Sequence, residues 1–306
     1  MTLQPDFDTF AAAWAQGRNQ VVFARLAADL DTPVSLMMKL AEARTDTFLL
    51  ESVTGGEVRG RYSVVGMKPD LIWQCHGQNA RLNREARFDA TAFVAEPSDP
   101  LTSLRALIAE SRIALPEGLP PIAAGLFGYL GYDMIRLVEH LPHINPDPLG
   151  LPDATLLRPS VVAVLDGVKG EVMVVAPAWA SSGLSARAAY AQAGERVMDA
   201  LRDLDRAPPA PRDLGEAATV GEAISNFTPE GYRAAVERRK TTSVRAISFR
   251  SSPASAGRKA LRSPPLPFTA LCGAPTPRRS CFSSTSAAFR WWAPAPKSLC
   301  ACAKAK

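Results

Sequence analysis

At 306 residues and 47% apolar composition, the chain is long enough for two domains or one large one, with enough apolar residues to pack them. Its net charge of +5 hides two opposite parts: residues 241–306 carry 11 Lys/Arg and no Asp or Glu, so the first 240 residues hold 24 basic side chains against all 30 acidic ones. An acidic start, MTLQPDFDTF, reads as no signal peptide, no apolar run reaches the ~18 residues that span a bilayer, and Cys75 alone in the first 240 residues excludes a disulfide scaffold and fits a reducing cytoplasm.

Taken in order, FDTFAAAWAQGRN predicts a short helix ending at Gly17, and QVVFARLAADLD an extended segment. The next helix is capped by Asp31 or Thr32 with Pro33 in its first turn, where the missing N–H costs nothing. Leu36, Met37, Leu40 and Ala41 form its apolar face. TFLLESV and GRYSVVGM predict two strands joined at Gly55-Gly56, and DLIWQCHGQNARLNRE continues the strand pattern. DPLTSLRALIAESRI predicts an amphipathic helix capped by Thr102 or Ser103. AAGLFGYLGYDMIRLVEHLP reads as a glycine-rich strand entering a helix. SVVAVLDGVKGEVMVVAPAW gives two strands turning at 166–170. A long helix follows, with Val197, Leu201 and Leu204 on one face. A Pro-rich linker leads to a last helix, capped by Thr228 with Pro229 and Glu230 in its first turn. Beyond Lys240 no helical or strand period continues.

Four stretches carry a resemblance: DTPVSLMMKLA, FLLESVTGGEVRGRYSVVG (48–66), GLFGYLGYDMIRLVEHLP (125–142) and SNFTPEGYRAAVERRK (225–240). Together, over roughly residues 10–240, they resemble the N-terminal half of anthranilate synthase component I, a chorismate-utilising family. The family continues with a segment like DYIRAGDIFQVVPSQR, which does not follow here. One permitted coding of Thr241–Ser252, with a single G placed in front, regroups to DYIRAGDIFQVV. The same shift turns 269–289 into a sequence like YRALRRTNPSPFLFFFNFGGF, and the last residues into one like VVGSSPEILVRVREGE. Residues 241–306 therefore read as the right gene one base out of frame, which explains the loss of acids by the splitting of GAN codons.

The resemblance implies an α+β fold of layered antiparallel sheets with flanking helices and an unstructured tail. It implies an N-terminal domain over 1–205, a linker over 206–224, the start of a chorismate-binding domain over 225–240, and an out-of-frame tail over 241–306. It implies the reaction of chorismate and ammonia to anthranilate and pyruvate, with Mg²⁺ held by glutamates of the C-terminal half and a glutamine amidotransferase (component II) as partner. The family's LLES serine lies in the feedback site for L-tryptophan and the adjacent glutamate affects that inhibition, so Ser52 and Glu51 are the candidate regulatory residues. The plain alternative for Ser52 is a turn cap. Aminodeoxychorismate synthase component I shares the expected fold and substrate, and a tryptophan-binding regulatory fragment is the non-enzyme alternative. No catalytic or metal-binding residue is expected in this chain, because it lacks carboxylates after residue 240.

Other patterns carry less. Gly125, Gly128 and Gly131 have GxxGxxG spacing, which fits close packing rather than a phosphate cradle. His140 and His143 are separated by the helix breaker Pro142 and make no metal motif. Cys281, Cys300 and Cys302 arise from the shifted frame rather than from a zinc site. The basic tail lacks the clustering of a nucleic-acid arm, so no specific nucleic-acid or membrane partner is expected.

Overall fold

The computed structural model describes residues 2–41, 45–52, 61–142, 146–147, 150–207, 224–225 and 227–244, together with 257–258, 280–285, 290–294 and 300–302. The elements in order are α1 (Phe7–Trp14), β1 (Gln20–Ala27), α2 (Pro33–Ala41), β2 (Thr47–Ser52), β3 (Tyr62–His76), β4 (Asn79–Asn83), β5 (Val94–Ala95), α3 (Pro100–Glu110), β6 (Phe127–Leu130), β7 (Ala154–Asp166), β8 (Glu171–Ala178), α4 (Ala186–Leu204), β9 (Ile224–Ser225) and α5 (Pro229–Val244). The short strands β10 (Gly257–Arg258), β11 (Ser280–Thr285), β12 (Arg290–Pro294) and β13 (Cys300–Cys302) complete the described residues.

One antiparallel sheet organises the fold, in the order β1-β8-β7-β3-β2-β11-β12-β13, with β4 on β3, β5 on β4 and β6 on β7. Its central strands are apolar at almost every position because both faces are covered. Val161, Ala163 and Leu165 of β7, Val172, Val174 and Ala176 of β8 and Leu49 of β2 face one side, under Phe10 of α1, the apolar stripe of α2 and Val197, Leu201 and Leu204 of α4. Val162, Val164, Met173, Val175 and Phe48 face the other, under Leu119, Ala123 and Phe127. A register shift between Pro69 and Leu71 bends β3. Beyond the bend Leu71, Trp73 and Cys75 pack with Leu104 and Leu107 of α3 in a third cluster. Each fully buried side chain of this kind stabilises the fold by about 1.5–3 kcal/mol.

The α+β expectation agrees with this architecture, as do the buried faces of α2 and α4. Thr32 Oγ1 accepts from Ser35 N at 3.1 Å and Thr228 Oγ1 from Gly231 N at 3.1 Å, so both expected threonine caps form. Two details differ. Asp99, not Thr102 or Ser103, caps α3, accepting from Leu101 N and Thr102 N. Ser103 is instead buried and accepts from Trp73 Nε1 at 3.0 Å, a tertiary need that local pattern does not reveal. The segment after β6, expected to be α-helical, is 3₁₀ over Tyr132–Leu137. The α5 helix runs one turn past Lys240, to Val244.

In the tail, expected to lack structure, β11 to β13 extend the sheet through backbone ladders, while the residues between these strands lie outside the described ones. The turn expected at Gly55-Gly56 also lies outside the described residues.

Glycines hold the sheet's tightest approach. A Cβ on Gly128 would lie 1.9 Å from the Thr155 carbonyl oxygen, and one on Gly131 2.6 Å from that of Asp153. Gly128 and Gly131 therefore serve close packing, as expected, whereas a Cβ on Gly125 would meet nothing within 4 Å. Gly128→Ala should lower the thermal midpoint by roughly 3–10 °C, the effect of about 1–3 kcal/mol of overpacking against backbone that cannot yield. Gly167→Ala, whose Cβ would meet only the Arg61 carbonyl at 3.5 Å, is the control and should leave the midpoint nearly unchanged. Equal midpoints in a calorimetric scan would overturn the packing role.

Candidate functional site

The strand alternation that buries Phe48 and Leu49 on opposite faces carries Glu51 and Ser52 to the C-terminal end of β2. Glu51 is only partly exposed, and that burial pushes its carboxyl above the ordinary value of 4.5. Along the outer edge of β2, Glu51 stands opposite Cys281 and Ser52 opposite Ser280. The side chain of Ser52 lies outside the described residues.

Where the chain re-enters at residue 61, Arg61 forks onto Asp166. Its Nε donates to both carboxylate oxygens at 2.9 and 3.0 Å, and its Nη2 donates to Oδ2 at 2.6 Å. Asp166 also accepts from Val168 N and Lys169 N. Burial alone would raise the Asp166 carboxyl, but these donors outweigh it and hold the group below the usual aspartate range. The start of β3 is thereby pinned to the β7–β8 turn, on the strand neighbouring the Glu51 end of β2.

A second feature was not anticipated as a site. A recess of about 780 Å³ is lined by Tyr132, Asp133, Arg136, Val138, Glu139, His140, Asp147 and Asp153, among others. Tyr132 is 86% and Val138 70% exposed. Of its four carboxylates three are hydrogen-bonded: Asp133 accepts from Arg136 Nε at 2.7 Å, Asp153 from Gly77 N at 2.6 Å and Asp147 from Gly150 N at 3.1 Å. Beside it, burial and the Arg81 charge lower the His76 pKa against the pull of Asp153, which keeps that imidazole neutral at pH 7. Cys75 is buried and its thiol is pushed up to about 11, so it is no nucleophile. Among the described residues no group of three His, Cys, Asp or Glu side chains could hold a metal ion, and His143 lies outside them. The sequence signal for the recess was GYLGYD, which reads as a glycine-rich strand entering a helix and carries no sign of a cavity.

Glu51 yields a pH-dependent expectation. Its folded pKa is raised, so the protonated form stabilises the fold below pH 4.5 and that contribution is lost as pH rises through the raised value. Glu51→Gln should raise the thermal midpoint at pH 7 by about 1–3 °C, a range that allows for solvent screening of a partly exposed group, and should change it little at pH 4. A gain that persists at pH 4, or none at pH 7, contradicts the assignment.

Comparison with models of known families finds no match. Comparison with curated proteins finds anthranilate synthase component 1 of Cereibacter sphaeroides, 80% identical over 234 residues, which covers 76% of this chain and 47% of that protein. The protein of the same name from Pseudomonas putida is 35% identical over 243 residues, again 76% of this chain and 47% of the relative. Among solved structures, anthranilate synthase component I from Streptococcus pneumoniae superposes with a TM-score of 0.60 at 19% identity, over 88% of this chain and 56% of that one. No helix among the described residues is long and apolar enough to cross a membrane. Through the N-terminal three quarters of its length the chain belongs to the anthranilate synthase component 1 family, and it spans about half the length of the curated relatives it matches.

Proposed function

We propose that residues 1–240 are the N-terminal part of an anthranilate synthase component 1, and that the chain as written has no synthase activity by itself. The observation that carries this is the 80% match over 234 residues, 76% of the chain, which leaves a remainder about as long as the part without acidic residues. In the proposed whole protein, chorismate and ammonia give anthranilate and pyruvate, and a component II amidotransferase delivers the ammonia. The names of the relatives favour this reading over aminodeoxychorismate synthase.

The residues present do not fit the Mg²⁺ that chorismate chemistry calls for. A hard divalent cation takes carboxylate oxygens, and residues 241–306 contain none. Around the 780 Å³ recess Asp133, Asp153 and Asp147 accept from Arg136, Gly77 and Gly150, and among the described residues no group of three His, Cys, Asp or Glu side chains could hold a metal ion. No step of the reaction can be routed through this chain's own side chains. What the chain contributes is a scaffold and, at Glu51 and Ser52, one wall of a regulatory site for L-tryptophan. The polar end of β2 suits an amino-acid ligand, but a pocket needs convergent groups from more than one element. Calorimetric titration of the chain with tryptophan should therefore show weak binding or none; tight binding would favour a stand-alone regulatory fragment.

An assay of the pure chain with saturating chorismate, ammonia and Mg²⁺ should yield no anthranilate, and measurable turnover would overturn the proposal. Resequencing codons 235–245 of the gene should show one additional base, restoring DYIRAGDIFQVV after Lys240. A confirmed absence of that base would make this a loss-of-function form, and a host without a second copy should then require tryptophan.

A further inference from the structure

We infer that the stretch from Arg238 to Lys306 binds single-stranded nucleic acid without sequence preference, through its cations on the phosphates and through Trp291 and Trp292 on the bases. The inference stands apart from the proposed function, because charge and ring chemistry act in the same way whatever reading frame wrote them.

Charge comes first. Glu237 is the last acidic residue of the chain, and 14 Lys/Arg follow it. Arg238, Arg239 and Lys240 lie on α5, where Lys240 donates to Glu237 Oε1 at 2.7 Å. The 11 cations of residues 241–306 have no carboxylate side chain anywhere in their own segment. The first 240 residues carry 24 basic side chains against 30 acidic ones, so they repel a polyanion and leave its binding to the tail. Each cation that meets a phosphate releases a condensed counterion, which favours binding and makes it fall with salt. This contribution reads no sequence. The scattered spacing that argues against a specific arm is therefore no obstacle to it.

The fold adds the rings. β11, β12 and β13 are consecutive at one end of the sheet order. β12 reads Arg-Trp-Trp-Ala-Pro. Trp291 stands opposite Ser284 of β11 and Ala301 of β13, and Trp292 opposite Ser283 and Cys300. Both tryptophans are thus on the middle strand of a three-stranded ribbon, with a small residue at every opposing register position. Arg290 precedes them on the same strand, and β10, which carries Arg258, lies beside β13. Aromatic residues for stacking, set among cations for the backbone, are how single-strand grooves hold nucleic acid. A base offers a π-face to each indole, which an anionic lipid headgroup does not. Eight prolines in residues 241–306 also disfavour the long amphipathic helix that lies in a bilayer surface.

The test uses the full 306-residue chain, freed of nucleic acid in high salt, and a fluorescent oligothymidylate of about 20 nucleotides, long enough for one site. Anisotropy should show binding at about 50 mM salt, with a log–log salt slope of about −3 or steeper. A mixed-sequence strand should bind within about tenfold of oligothymidylate. Arg258→Ser with Arg290→Ser should make the slope shallower by about 1–1.5. Trp291→Ser with Trp292→Ser should weaken oligothymidylate at least about fivefold and leave heparin, a polyanion without bases, unchanged; Trp291→Phe with Trp292→Phe should restore most of the loss. Absence of binding at about 50 mM salt, or a slope indifferent to the two arginines, overturns the inference. So do serine variants that bind both probes as before or lose both equally. Tighter binding to phosphatidylserine vesicles than to oligothymidylate assigns the tail to membranes and overturns it as well.

Discussion

The pairing of β3 with β7 is the constraint on which the rest depends. It runs from Tyr62–Asp166 to Cys75–Ala154. These long strands receive β2, β4, β6 and β8 along their free sides, and β1 follows on β8. Gly66 on β3 is what lets β2 settle. A Cβ there would come within 2.2 Å of the Phe48 ring, so the absence of a side chain leaves that ring room to cross the strand. Phe48 then stacks on Phe127 at 4.7 Å, across the core. The two stretches that carry the family resemblance most clearly thus meet in one aromatic contact.

The bend in β3 needs its own support, and a buried cation supplies it. Arg158 on β7 donates to both oxygens of Asp70, at 2.9 and 3.0 Å, inside the register shift. It also donates to Glu110 Oε1 at 3.0 Å, at the end of α3. Its guanidinium lies 4.4 Å from the Trp179 ring centre. An Arg serves here because its planar fork satisfies two carboxylates from one point, which Lys cannot do. Glu110 in turn accepts a fork from Arg84, and that pairing and Arg158 hold its carboxyl below the usual range. The network joins β7, β3, the residue following β4 and the end of α3, and so ties the third cluster to the main sheet.

A scaffold built this way is complete at its centre and open at its margins. The helices cover one face of the sheet and the 113–127 segment covers much of the other, while β2 pairs with β3 on one side and with β11 on the other. Tyr132 and Val138 stand exposed around a recess in which Asp133, Asp147 and Asp153 each accept a hydrogen bond.

The sequence by itself determined the helices with strong local signals. The caps Thr32 and Thr228, the stripe Leu36-Met37-Leu40-Ala41 and the spacing Val197-Leu201-Leu204 follow from the period of a helix and from the orphan groups at its ends. It also determined the family, through stretches dense in glycine and paired strands, and the break at Lys240, through the loss of acids. Of the candidate site, it located Glu51 and Ser52 on a strand, since alternation is a local property. Only the tertiary structure decided that Asp99 caps α3, because Ser103 was needed by Trp73 thirty residues away. Only it decided that β3 is one bent strand, because the bend depends on Arg158 reaching Asp70 across a ladder. Only it placed Glu51 opposite Cys281 on the outer side of β2, since which strands become neighbours in a sheet depends on long-range pairing that no local pattern records.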